Sequence, residues 1–171
     1  GDDVLAGQKG SDTLDGGAGN DWLGSPDPTE EQLPVLWFTG GDSFRGGTGD
    51  DTLWGTTCDD QYYFAFGDGR DVITDFGGND TLHLERVPLA NILYVGKDGD
   101  HDDLRIDIEF GDRNDRSIVN HQYIHDTSDF AIEQISLDGL SYTVEALGNL
   151  VHDIQTGGST YGEITEGDDL Y

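Results

Sequence analysis

The sequence predicts an all-β fold: a flattened coil of short, stacked parallel strands, closed by a small antiparallel β region with one short helix. Three observations predict it. A nine-residue unit recurs along the first half of the chain. An acidic residue and a large apolar residue hold fixed places within that unit. After Leu82 the period gives way to ordinary strand alternation. Self-similarity at a fixed short period is an architectural signal and outranks local propensity.

The clearest copies are "GGAGNDWLG" from Gly16 and "GGTGDDTLW" from Gly46. Written as G-G-x-G-x-D-x-U-x, with U a large apolar residue, the unit places aspartates at Asp3, Asp12, Asp21, Asp42, Asp51, Asp60, Asp71 and Asp80. They are separated by 9, 9, 21, 9, 9, 11 and 9 residues. Two positions after each stand Leu5, Leu14, Leu23, Phe44, Leu53, Tyr62, Ile73 and Leu82, all bulky and apolar or aromatic. The register is too regular for chance.

Each residue type in the unit has a physical reason. Glycine reaches positive φ at no steric cost, so the Gly-rich half forms a tight turn with inward carbonyls. Aspartate adds carboxylate oxygens, and an oxygen-only shell suits a hard cation, Ca²⁺ above Mg²⁺. The closing x-U-x is expected to be a three-residue strand with one inward side chain. Consecutive turns fall on opposite edges of the coil, so residues 18 apart stack on one edge and can share an ion. On this spacing Asp3 shares an edge with Asp21 and Asp42 with Asp60, while Asp12 meets whatever follows Gly24.

Composition agrees with a chain that needs cations before it folds. Across 171 residues, 8 Lys and Arg stand against 36 Asp and Glu, a formal charge of −28. That balance argues against nucleic acid, whose phosphates would be repelled, and against an anionic membrane face. High charge with low hydrophobicity usually means disorder. Here 10% of residues are aromatic and the acids are regularly spaced, which solvated acidic tails do not require. The single cysteine, Cys58, excludes an internal disulfide framework and reads as inert. No apolar run reaches the length of a membrane span. The chain opens on "GDDVL" and closes on "GDDLY", which reads as a segment of a longer protein.

These residues resemble the RTX (repeat-in-toxin) family of haemolysin-type, calcium-binding parallel β-rolls, whose signature is this nonapeptide. The resemblance implies that the ligands are the eight repeat aspartates and carbonyls of the turns at Gly7, Gly10, Gly16, Gly17, Gly19, Gly46, Gly47 and Gly49. It covers residues 1–83, the expected roll. Departures occur at Gln8, which replaces a second glycine, and in "GTTCDDQYY", where Thr56 and Cys58 replace glycines and leave the site at Asp60 in doubt. Residues 25–39, "SPDPTEEQLPVLWFT", break the register and read as an inserted loop. The apolar end of this insert has two readings: packing on the side of the roll, or an exposed contact patch at Trp37 and Phe38.

Residues 84–155 read as a non-repetitive cap. "ILYV", "LRIDIEF", "SIVNHQYI", "FAIEQISL" and "SYTV" are strand candidates, with Leu104, Ile106, Ile108 and Phe110 alternating against polar neighbours. "VEALGNLVHDI" carries Leu147, Leu150, Val151 and Ile154 at helical spacing, weakened by Gly148. Residues 156–171 read as a linker into a following repeat. The passage through "YYFAFGDGRDVI" and "FGGNDTLHL" into a cap is similar to the capped C-terminal repeat block of adenylate cyclase toxin. A roll needs such cover because its open end exposes apolar side chains and unpaired strand edges.

Other constellations read as structural. Asp98, Asp100 and Asp102 open like an EF-hand loop with Glu109 at the twelfth place, yet Asp103 stands where glycine is needed, so a solvated turn is preferred. His121 and His125 lie four apart, but in strand-like surroundings. No G-x-S-x-G or H-E-x-x-H motif occurs, and an enzyme is not expected.

The resemblance then implies a calcium-binding module whose folding is triggered by extracellular Ca²⁺ within a large secreted bacterial toxin or adhesin exported by type I secretion. Roughly four to seven ions are expected. Expected partners are calcium and neighbouring RTX blocks of the same chain. Two alternatives stay open: a ligand-binding module of an adhesin that contacts a cell-surface ligand, or an accessory module of a secreted enzyme.

Overall fold

The structure is a computed structural model that describes residues 1–24, 40–97, 104–110, 113–120 and 132–157, with the backbone alone at 97, 110 and 113–120. The insert at 25–39, the acidic turn at 98–103, His121, His125 and the linker from 158 onward lie outside the described residues.

Eight strands follow the repeat: β1 (Val4–Leu5), β2 (Thr13–Ala18), β3 (Trp22–Leu23), β4 (Ser43–Thr48), β5 (Thr52–Trp54), β6 (Gln61–Ala65), β7 (Arg70–Thr74) and β8 (Thr81–Glu85). They alternate between two sheets. The odd strands stack in the order β1-β3-β5-β7 and the even strands in the order β2-β4-β6-β8, every pairing parallel. This topology is consistent with a parallel β-roll.

The D-x-U spacing explains the interior. In extended chain, residues two apart point the same way. The U residues therefore form two inward columns, Leu5–Leu23–Leu53–Ile73 and Leu14–Phe44–Tyr62–Leu82, matched by strand register. Leu23, Phe44, Tyr62 and Leu82 have no exposed area, and the Phe44 and Tyr62 rings stack with centroids 5.2 Å apart. Six of the eight repeat aspartates, Asp21, Asp42, Asp51, Asp60, Asp71 and Asp80, are buried for the same reason. They sit at the corners of the coil beneath the glycine turns.

Two details differ from the expected strand lengths. β2 and β4 are six residues long, because the paired backbone runs on through Gly17↔Gly47 and Ala18↔Thr48. Glycine backbones stack closely enough to keep hydrogen-bonding past the corner. On the opposite sheet β1 and β3 are only two residues long.

Beyond β8 come β9 (Ile92–Lys97), β10 (Leu104–Phe110), β11 (Arg113–Asn120), β12 (Gln134–Leu137), β13 (Leu140–Tyr142) and the helix α1 (Val144–Thr156). β9-β10-β11 is antiparallel, as is β12-β13. This region is nevertheless joined in parallel to the repeat strands: β11 pairs with β7, and β12 with β8. Both sheets thus continue across the end of the repeat, which pairs its two strand edges. One apolar core runs from Leu14 through Leu82 into Leu104, Ile106, Ile108, Ile132, Ile135, Leu137 and Leu147.

Helix α1 starts at Thr143, whose hydroxyl accepts a hydrogen bond from the Ala146 N–H at 3.2 Å, and stops at Gly157 in the left-handed region. Gly148 lowers its propensity but has a packing reason. A Cβ there would lie 2.7 Å from the Val95 carbonyl, so glycine lets the helix approach β9. Val144, Leu147 and Val151 are buried against the cap, whereas Ile154 is half exposed.

Candidate metal centre

The eight repeat aspartates form two ladders, one along each edge. On the first, the N–H of Asp3 donates to Asp21 Oδ1 at 2.8 Å, that of Asp21 to Asp51 Oδ1 at 2.7 Å, and that of Asp51 to Asp71 Oδ1 at 3.2 Å. On the second, Asp12 donates to Asp42 Oδ1 at 2.8 Å, Asp42 to Asp60 Oδ1 at 2.7 Å, and Asp60 to Asp80 Oδ1 at 2.7 Å. Asp12 therefore meets Asp42, 30 positions on, across the insert. The sequence separation varies between 18, 20 and 30 while the geometry stays the same.

Each of these Oδ1 atoms ties one coil to the next. At five of the eight repeat aspartates the other oxygen is left over. Oδ2 of Asp12, Asp21, Asp51, Asp71 and Asp80 is buried without a hydrogen-bond partner. Asp21, Asp51, Asp71 and Asp80 are themselves at most 3% exposed, whereas Asp3, at the open end, is exposed. Buried carboxylate oxygens without donors are costly, because the anion has lost its water.

The glycines make room for these carboxylates. A Cβ on Gly7 would lie 2.7 Å from Asp12 Oδ2, and Cβ atoms on Gly16 and Gly46 would overlap Oδ2 of Asp21 and Asp51. The first glycine of each of these units, five residues ahead of its aspartate, is thus the wall against which the free oxygen rests. The later glycines stack on one another instead. A Cβ on Gly40, Gly47 or Gly49 would overlap the carbonyl of Gly10, Gly17 or Gly19. All of Gly10, Gly17, Gly19, Gly47 and Gly49 take positive φ.

The site at Asp60 is built differently. Thr56 stands in place of a second glycine, and its N–H donates to Asp60 Oδ2 at 2.6 Å. The Thr56 hydroxyl donates to Asp60 Oδ1 at 3.3 Å. Asp60 therefore has no orphaned oxygen. Cys58, whose carbonyl lies under Gly78, is half-buried and free.

Three features escaped the sequence reading. Glu133 ends the second ladder: the Asp80 N–H donates to Glu133 Oε2 at 2.6 Å. Its signal was the E-x-I of "IEQI", which mimics D-x-U. Asp75 is buried beside Asp60 and Asp80, hidden because it occupies a glycine position of the repeat. A third, outer ladder joins the residues that precede the repeat aspartates, with Asn20 donating to Asp2 Oδ1 at 2.9 Å and Asp50 to Asn20 Oδ1 at 3.1 Å.

Electrostatics state the need for a counter-charge. Burial, with the charge of Asp51 adding to it, pushes the Asp71 carboxyl up to about 8. Burial also raises Asp42, Asp51 and Asp60, partly offset in each by a backbone hydrogen bond. Asp80 is pushed upward by burial and then by the charge of Asp75. These carboxylates are placed where an anion is disfavoured unless a cation joins them. The orphaned Oδ2 atoms and an oxygen-only donor set fit a hard divalent cation such as Ca²⁺.

Fold and site together define a class: a coil of parallel strands that carries columns of carboxylates for divalent cations along its edges. The model of the RTX calcium-binding nonapeptide repeat matches residues 1–24, 38–68 and 67–86, in four copies. These residues are an RTX repeat block, and the chain contains a calcium-binding module. No match is found among curated proteins.

Proposed function

We propose that this chain is a calcium-triggered folding module within a large secreted bacterial toxin or adhesin, exported by type I secretion and flanked by other RTX blocks. The observation that carries the reading is the set of five buried carboxylate oxygens without partners. Bound calcium supplies their counter-charge. Asp12, Asp21, Asp42, Asp51, Asp71 and Asp80 would hold it, with Asp3 at the open end and Asp60 in its altered setting, together with turn carbonyls of the Gly7–Gly19 and Gly46–Gly49 segments. Between four and seven ions in two rows is the expected loading.

The chain's own residues perform the switch. Without cations the stacked carboxylates repel one another, and Gly-rich turns have the most conformational entropy to lose on ordering. The balance then favours the unfolded chain. At a calcium concentration tenfold above a site's Kd, each site adds roughly 1.4 kcal/mol to stability. Several such sites reverse the balance. We assign residues 1–83 to the roll, 84–155 to a cap that supplies the longer strands and denser apolar core, and 156–171 to a linker. The cap gives the coils a structured end on which to add, as in other quasi-linear repeats. Calcium titration of the chain against magnesium, followed by far-UV circular dichroism, tests the proposal.

A further inference from the structure

We propose that Asp75 is a ligand in an additional cation site, formed with Asp60 and Asp80 at the cap-facing end of the second edge, which takes a hard divalent cation of the calcium type. This rests on the calcium reading above and shares Asp60 and Asp80 with the second ladder, but adds a ligand, Asp75, that the nonapeptide pattern does not supply. In that pattern the place five residues before the aspartate belongs to glycine, as at Gly7, Gly16 and Gly46. Asp75 stands there before Asp80. A side chain in that place reaches the corner that the repeat carboxylates occupy. One carboxylate oxygen from each of Asp60, Asp75 and Asp80 lies within 4.8 Å of the others.

A second observation points to a ligand. Asp80 has no exposed area, and its Oδ2 has no hydrogen-bond partner. The other two carboxylates are held in position by neutral donors. Asp75 accepts from the Tyr62 hydroxyl through Oδ2 and from the Gly77 N–H through Oδ1 at 2.7 Å. Asp60 accepts from the Asp42 and Thr56 N–H groups at 2.7 and 2.6 Å. A carboxylate oxygen has two acceptor sites, so these bonds orient the groups without exhausting them. Gly55 keeps the corner open: a Cβ there would overlap the Tyr62 hydroxyl and Asp75 Oδ2 and lie 3.0 Å from Asp60 Oδ2. Three buried carboxylates, all-oxygen donors and a glycine wall match the preference of calcium for flexible oxygen shells. Tyr62 acts here as a positioning residue.

The competing account is that Asp75 is a structural partner of Tyr62 and holds no ion. Asp75→Asn separates the two, since it keeps the shape and a hydrogen bond to the tyrosine but removes the charge. The test is equilibrium dialysis of the full chain with radioactive calcium, with Asp51→Asn as the comparison on the other edge. Asp75→Asn should bind an ion fewer than the parent while folding to the same β content in saturating calcium. Tyr62→Phe should keep the ion count but weaken that site on the order of tenfold. If Asp75→Asn binds as many ions as tightly as the parent while Asp51→Asn loses one, this site is refuted and the repeat ladders stand. If the parent itself binds no calcium, the underlying reading fails with it. Should Asp75→Asn not fold, Tyr62→Phe decides: an unchanged affinity refutes the site.

Discussion

The N–H of Asp80 donates to Glu133 Oε2 at 2.6 Å, so a ladder that begins in the repeat ends on a side chain of the cap 53 positions away. The strand register runs with it, Leu82 facing Ile135 across β8 and β12. The hydrogen-bonded edge of the repeat therefore continues into β12 and the residue that precedes it. Glu133→Ala should leave a buried Asp80 N–H unpaired and cost about 1–3 kcal/mol in urea unfolding of the calcium-loaded chain. Glu133→Gln retains an acceptor and should cost clearly less. Equal losses for the two variants would mean that the charge, not the hydrogen bond, is what matters.

The glycine wall makes a second prediction. Gly16→Ala puts a methyl group onto Asp21 Oδ2 and within 2.7 Å of the Gly46 carbonyl. The calcium concentration at half-folding should rise severalfold, while Gly1→Ala, which meets nothing, should leave it unchanged. A calcium titration of the two variants side by side reads the difference.

Gln8 carries strain that its glycine counterparts do not. Its φ is 73°, where Gly17 and Gly47 take 92° and 98° in the same place of the unit. Non-glycine residues pay a steric penalty there, partly offset by the greater chain entropy of glycine when unfolded. Gln8→Gly should stabilise the calcium-loaded fold by about 0.5–1 kcal/mol in urea unfolding, and a destabilised variant would show that the glutamine side chain makes a compensating contact.

Much of this was legible because D-x-U carries two messages at once. The apolar residue marks the interior, and the aspartate two places earlier shares its face, so Leu23 and Asp21 were found together. The partners were less legible. Asp12 meets Asp42 across an insert, and Asp51 meets Asp71 over 20 positions, because the coil closes by geometry rather than by residue count. The parallel pairing of β11 with β7 and β12 with β8 is non-local and leaves no periodic mark. Asp75 was masked by the pattern itself, since it sits where the repeat expects glycine.

Protons should stand in for calcium in part. Asp71 is pushed up to about 8 in the fold, against an ordinary value of 3.8, so the folded chain binds more protons than the unfolded one between those limits. Stability of the metal-free fold is then fullest at the acid end and falls as pH rises through that window. In chelator, the chain should show more β signal near about pH 5 than near about pH 8.5. Because protons already favour the fold at the acid end, less calcium is needed there, and the calcium midpoint for folding should rise as pH rises through the window. A midpoint independent of pH over this range would show that the ladder carboxylates are already ionised before calcium arrives.

The central claim is that calcium decides whether this chain is folded, and far-UV circular dichroism of the full chain tests it most directly. In chelator at neutral pH the spectrum should be that of a largely disordered chain. Millimolar calcium should produce β signal in a cooperative transition, and magnesium should do so poorly because it demands a tighter octahedral shell. The same β content with chelator as with calcium would contradict the account.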